Sequence, residues 1–269
     1  MVSQLRRDAF KYYAGKALSP AGMSKIVRNP KVFLRAVKTL VSNRNLRSVP
    51  VEELLSDSED AVRALARLAG PSVADWPINL DSDAVALGEL LLKHGSDKST
   101  HHDYHEIYAA LLDRNQQLRI LEIGLGSNNL AIQSNMGLNG RPGASLRAFR
   151  DWAPNAVLLG ADVDRGILFE EERISTFFVD QTDAGSLKAL VSQVGSNFDL
   201  IIDDGLHLPH ANLNTIEALL PLLKPGGTMV IEDIDPVHLH YWHVASGILK
   251  NTSLLERRGG YLFVIPSTQ

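Results

Sequence analysis

Five clusters of acids, amides and glycines, each following a short apolar run, hold the residue types that chemistry needs. Glu122-Ile-Gly124-Leu-Gly126 follows the first run, Asp162 the second and Asp180-Gln181-Thr-Asp183 the third. Asp203-Asp204-Gly205-Leu206-His207 follows the fourth and Glu232-Asp233 the fifth. Paired glycines let the backbone turn tightly and approach a ligand closely. Asn129 stands where a dinucleotide-binding fingerprint needs its last glycine, which speaks against NAD. An acid such as Asp162, closing the second strand, is placed to accept ribose hydroxyls. The chain has no G-x-S-x-G elbow and no P-loop pattern, so neither triad hydrolysis nor that form of phosphate binding is supported.

These clusters need elements that bring them to one edge. The apolar runs are 118–123, 157–161, 176–179, 198–202, 228–231 and 261–265, and helical patterns separate them. Near-continuous apolar strands alternating with helices predict an α/β fold, a doubly wound and mostly parallel sheet covered on both faces. Ligands of such sheets bind beyond the carboxyl ends of the strands, where all five clusters fall. Helices are expected over 85–93 and 104–112, on either side of the polar stretch His94 to Asp103. Residues 1–80 read instead as helices broken at Pro20, Pro30, Pro50 and Gly70-Pro71, which predicts an accessory region before a domain over 81–269.

Composition narrows the function classes. The 269 residues are 45% hydrophobic and 22% charged, as in a folded soluble protein, and no apolar run approaches the roughly 18 residues of a membrane span. Cysteine is absent, so any metal must sit on oxygen or imidazole. Arg6, Arg7 and Asp8 stand where a signal segment needs its apolar core, and a cytosolic location is expected. The net charge of -4 hides an asymmetry: residues 1–47 carry eleven Lys/Arg against Asp8 alone, and the remainder carries sixteen basic and thirty acidic residues. Phe33, Val37, Leu40 and Val41 recur at helical spacing within that arm, which predicts a homo-oligomer or docking helix with a basic outer face. His101 with His105, and His238, His240 and His243, lack an acidic partner at a metal-site spacing and are expected to line substrate or surface.

Glu122-x-Gly124-x-Gly126, Asp162, Asp180 and the Leu-Lys-Pro-Gly-Gly run at 223–227 together resemble the class I S-adenosylmethionine-dependent methyltransferases, over residues 95–269. A narrower likeness adds His94-Gly-Ser-Asp97-Lys98, His102-x-Tyr104, Gly143-Ala-Ser145-Leu-Arg147, Asp180-Gln-x-Asp183, Asp203-Asp-Gly-x-His207 and Glu232-Asp233. These runs resemble the metal-dependent macrolide-sugar O-methyltransferases and the cephalosporin-hydroxylase-like proteins. Ser96 replaces that family's usual Thr, and the loop Ser127–Gly140 matches nothing in it.

The resemblance implies a Rossmann-like methyltransferase fold and a magnesium ion on Asp204, Glu232 and Asp233. It places the methionine end of S-adenosylmethionine at Glu122, Gly124 and Gly126, the ribose at Asp162 and the adenine at Asp180, with Gln181, Asp203 and Ser145 as further contacts. Lys98, His102 and Tyr104 are expected to close over the site, and His207 to take the proton of a small-molecule hydroxyl. Physical chemistry supports the metal, since three carboxylates at neighbouring strand ends repel unless a cation lies between them. Successive strand residues point to opposite faces, so Glu232 and Asp233 share a cation only where the strand has turned. An imidazole titrates near 6.5 and can accept a proton from a hydroxyl that a metal has acidified. Two other readings use the same residues. One is a cephalosporin-hydroxylase-like or other non-sugar methyltransferase, the other an RNA-binding methyltransferase using the basic arm. The arm's aromatics are Phe10, Tyr12, Tyr13 and Phe33 and the rest of the chain is acidic, which argues against nucleic acid.

Overall fold

The computed structural model describes residues 81–249 and 251–267. The helical region expected over 1–80, with its apolar stripe and basic face, lies outside them. The sheet and its helices belong to one compact unit within Ser72–Trp242 and Asn251–Gln269; residues 243–249 do not belong to it.

Eight strands among the described residues form one sheet: β1 (Arg119–Ile123), β2 (Val157–Asp162), β3 (Glu170–Glu171), β4 (Ile174–Phe178), β5 (Phe198–Asp203), β6 (Leu223–Ile234), β7 (Ser253–Arg257) and β8 (Gly260–Pro266). Their order is β3-β4-β2-β1-β5-β6-β8-β7. The central pairs β4·β2, β2·β1, β1·β5 and β5·β6 are parallel, and the edge pairs are antiparallel. The six α-helices among the described residues are α1 (Ser82–His94), α2 (Tyr104–Leu111), α3 (Ala144–Trp152), α4 (Ala184–Val194), α5 (Pro209–Leu219) and α6 (Leu239–Ile248). On one face Ile120, Leu158, Leu200, Ile202 and Val230 pack with α1, α2 and α3. The alternate residues Leu121, Leu159, Ile201 and Met229 are buried too, and α4 and α5 pack on β4, β5 and each other. The doubly wound, mostly parallel α/β sheet is therefore the observed architecture.

Local signals set the ends of the segment that reaches the site. Asp81 caps α1, its carboxylate accepting from Asp83 N at 3.0 Å and Ala84 N at 2.9 Å. Gly95 ends that helix in the left-handed conformation (φ 89°). The chain then turns over Ser96–Asp103 before α2, so this polar stretch crosses the carboxyl edge of the sheet instead of running away from it. Near the other edge, the pairing of β6 with β8 shifts between Ile231 and Ile234, and Asp233 takes a left-handed backbone (φ 53°). Such a bulge re-aims side chains. Glu232 and Asp233 consequently both serve the same edge, as a shared site requires.

Candidate functional site

The β1–α3 connection forms one wall of a cleft. Gly124 N donates to Ala161 O at 2.8 Å and Asp204 N to Ile123 O at 2.8 Å, so the three strand ends remain tied as they leave the sheet. Asp162 clamps the turn: its carboxylate accepts from Leu125 N at 2.7 Å and Asp164 N at 2.8 Å. Burial pushes the Asp162 carboxyl up and these two N–H groups pull it back. Ser127 donates to Asp164 at 2.5 Å, and Asn128 closes the following loop by donating to Gly137 O and Gly140 O at 2.7 and 3.0 Å. The cleft has a volume of about 260 Å³ and is lined by Gly124, Gly126, Asp162, Asp180, Gln181 and Asp204, among others. Ile132, Gln133 and Ser134 of the loop over 127–140 complete it, and sequence reasoning missed them because that loop carries no periodic or motif signal.

Four of the expected cofactor residues support the cleft from behind or through their neighbours. Glu122 is fully buried and its Oε2 accepts from Ser145 Oγ at 2.5 Å, which ties the two side chains together below the turn. Asp203, also fully buried, accepts from Gln181 Nε2 at 2.7 Å and Asn212 Nδ2 at 3.1 Å. Gln181 accepts in turn from Leu206 N at 2.8 Å, which fixes the loop after β5. Asp180 lines the cleft while its Oδ1 accepts from Thr182 N at 2.8 Å.

Beside the cleft lies an acidic cluster held by donors from the Ser96–Asp103 stretch and α2. Lys98, only 3% exposed, donates to Asp204 Oδ2 at 2.5 Å and to Glu232 Oε2, with Glu122 Oε1 at 3.3 Å. Burial alone would lower its pKa, but the three carboxylates outweigh that and hold the ammonium protonated, well above the usual lysine range. Burial pushes the Asp204 and Glu232 carboxyls up, against the pull of that ammonium. Tyr104 donates to Asp233 Oδ1 at 2.6 Å and Tyr108 to Glu232 Oε1. His102 stacks on Tyr104, ring centroids 4.9 Å apart, and its Nδ1 lies 3.7 Å from Asp233 Oδ1. His207, in a left-handed backbone (φ 56°), brings Nε2 to 3.9 Å from Asp204 Oδ1. One oxygen each of Asp204 and Asp233 and one ring nitrogen of His207 lie within 4.8 Å of one another.

The structure thus brings Asp204, Glu232, Asp233, His207, Lys98, His102 and Tyr104 to one place beside the cleft, and of these Asp204 also belongs to the cleft lining. It separates Glu232 from the open trio, because both Glu232 oxygens already accept hydrogen bonds. His101 and His105 do not converge: His101 contacts Thr100 Oγ1 at 3.1 Å, and the His105 ring closes on Gly88. Among the described residues, the histidines at 238, 240 and 243 form no cluster of metal-ligating side chains. Sequence reasoning missed Tyr108, which reads as one more apolar residue of α2.

Residues 85–234 match the family described as a methyltransferase domain. The chain is 30% identical over 167 residues to 8-demethyl-8-alpha-L-rhamnosyl tetracenomycin-C 2'-O-methyltransferase of Streptomyces olivaceus, covering 61% of this chain and 41% of that one. It is 36% identical over 121 residues to demethylmacrocin O-methyltransferase of Streptomyces fradiae, covering 45% and 28%. Among solved structures, the MycE methyltransferase from the mycinamycin biosynthetic pathway, in complex with Mg, SAH and mycinamycin VI, is 33% identical over 55% of this chain and 37% of that one, with a TM-score of 0.47. The chain spans less than half the length of these curated relatives. Among the described residues no helix is long and apolar enough to cross a membrane.

Proposed function

The chain belongs to the methyltransferase domain family, and from that premise we propose that it is a magnesium-dependent O-methyltransferase acting on a sugar hydroxyl of a small natural product. One observation carries the reading: Asp204 lines the cleft and is also a member of the acidic cluster, so a methyl donor in the first and an acceptor at the second would meet at this residue. The curated relatives, named for methylation of sugar-bearing antibiotics, supply the acceptor class.

The residues fit both groups. Gly126 lines the cleft and offers no side chain there, and Asp162 and Asp180 lie along the same wall. Within the cluster the carboxylates of Asp204 and Asp233 offer the oxygen ligands that Mg²⁺ prefers. S-adenosylmethionine supplies a methyl group on a sulfonium, and Mg²⁺ supplies a charge that makes a neighbouring hydroxyl more acidic. Gly124, Gly126, Asp162 and Asp180 then orient the donor, while Asp204 and Asp233, with Glu232 behind them, hold the cation. Tyr104 keeps the Asp233 carboxylate in place, and His207 accepts the acceptor's proton. Holding nucleophile and methyl carbon in line contributes most, because the leaving group is already good.

Asp204→Asn is expected to weaken Mg²⁺ binding by about 10–100-fold in calorimetry, the scale of a lost ligand or ligand partner. Its affinity for S-adenosylhomocysteine should change far less. Full wild-type methyl transfer in excess chelator would refute the magnesium requirement. We also propose that residues 1–80 form an accessory region that serves assembly, and that the reaction is cytosolic. Deleting residues 1–47 should lower the oligomeric mass seen by light scattering; submicromolar RNA binding lost on the same deletion would favour nucleic acid instead.

A further inference from the structure

Lys98 stands where a cation is wanted, and it already is one. Its ammonium bridges Asp204 Oδ2 and Glu232 Oε2, the two oxygens that face each other across the ends of β5 and β6. An ammonium has three N–H groups. Two are committed to these carboxylates, and Glu122 Oε1 lies 3.3 Å from the nitrogen as an ion pair, outside hydrogen-bond geometry. That oxygen is buried without a hydrogen-bond partner, although its carboxylate is fully inside the protein. Ser145 fixes the other Glu122 oxygen at 2.5 Å, so the acceptor is already in place and only the lysine tip has to move. At 3% exposure, Lys98 is buried together with Glu232, one of the carboxylates it bridges.

We propose that Lys98 and a divalent cation take turns on Asp204 and Glu232, with Glu122 receiving the ammonium whenever the divalent cation holds the other two. This rests on the magnesium reading above and deepens it. Lys98 is then a positioning residue with two stations. At the first it keeps the carboxylates of β5 and β6 from repelling one another, and at the second it satisfies the orphaned oxygen of Glu122. Glu122 lies two residues before Gly124, so the second station places a full positive charge directly beneath the cofactor turn. Cation loading would in this way be felt at the donor site without any contact between the two ligands.

A double-mutant cycle on the full chain tests this, with Mg²⁺ titrated by calorimetry into wild type, Lys98→Met, Glu122→Gln and the double variant. Removing the competitor should tighten Mg²⁺ binding by about tenfold, and removing the receiving oxygen's charge should weaken it by about as much, within the range for residues bordering a metal site. Glu122→Gln should have no effect once Lys98 is methionine, because nothing remains to be received. Equal weakening by Glu122→Gln in both backgrounds would mean that Glu122 acts only as a distant charge and would overturn the proposal. Weaker binding in Lys98→Met would overturn it as well, since the lysine would then merely brace the ligands. Absence of Mg²⁺ binding in all four proteins would refute the magnesium reading itself. Should Lys98→Met fail to fold, crystals of wild type grown with Mg²⁺ decide the matter. Lys98 Nζ should be hydrogen-bonded to Glu122 and released from Glu232, and an ammonium still on Glu232 would refute the exchange.

Discussion

Replacing Gly126 by valine is expected to abolish binding of S-adenosylhomocysteine while the sheet survives. Gly126 lines the cleft in a left-handed backbone (φ 78°). A Cβ placed there would lie 2.5 Å from both Sδ and Cε of Met136, the far end of a flexible side chain. Met136 can yield, but only by moving within the loop wall that Ile132, Gln133 and Ser134 share, so the branched side chain occupies space the ligand needs. The left-handed backbone costs a non-glycine residue about 1–2 kcal/mol, enough to lower the melting temperature by several degrees without unfolding a domain of this size. Gly124 behaves differently, because a Cβ there would sit 2.0 Å from the backbone oxygen of Asp204. Its substitution should damage the β1–β5 junction itself, which makes Gly126 the informative position. Calorimetry on Gly126→Val should show affinity reduced by at least about 100-fold, some 2.7 kcal/mol, with an unchanged far-ultraviolet circular dichroism spectrum. Wild-type affinity in that variant would place the methyl donor elsewhere.

The same contrast shows what a sequence can and cannot carry. The central strands were legible because burial on both faces demands continuous apolar runs, as in Leu118–Ile123 and Phe198–Ile202. β3 was not, since it is two exposed glutamates, and neither was the edge strand β7, whose Leu254 and Leu255 are flanked by polar residues. β6 was expected from Thr228 but begins at Leu223, since Leu223 pairs with Phe198 before the register shifts. Asp204, His207, Glu232 and Asp233 could be grouped because parallel topology gathers the residues that follow each strand. What each carboxylate does there depends on donors far away in the chain. Lys98 is 106 residues from Asp204, and Tyr108 is 124 residues from Glu232. No spacing rule records such pairings. Glu122 and Asp203 were read as ligand contacts from their motif positions, yet both are fully buried, where Ser145 holds one oxygen of Glu122 and Gln181 and Asn212 satisfy both oxygens of Asp203.

His207 lies where that long-range geometry bears most directly on rate. It is three residues beyond Asp204, in the loop between β5 and α5, and Pro209 at the start of α5 limits how far the loop can swing. Its Nε2, 3.9 Å from Asp204 Oδ1, sits among the oxygens that would hold the acceptor hydroxyl's metal, and the side chain is 29% exposed, so a substrate can reach it. An imidazole there can accept the proton that the hydroxyl loses as the methyl group is transferred. His207→Ala should therefore leave the affinities for S-adenosylhomocysteine and Mg²⁺ nearly unchanged and slow single-turnover methyl transfer by about 10²–10⁴, the usual contribution of a positioned base. Histidine is among the side chains enriched at left-handed positions and alanine is not, so the melting temperature should fall slightly, and far-ultraviolet circular dichroism of the variant should match wild type, which separates the loss of rate from unfolding. The pH profile separates the base from a bystander. A protonated imidazole has no lone pair to offer, so the wild-type rate should fall as pH is lowered, with donor and Mg²⁺ saturating at each point. The variant should lose that acid limb along with the rate. Retention of more than about a third of the wild-type rate, far above what a missing base leaves, would show that the metal alone activates the hydroxyl and that His207 only shapes the loop.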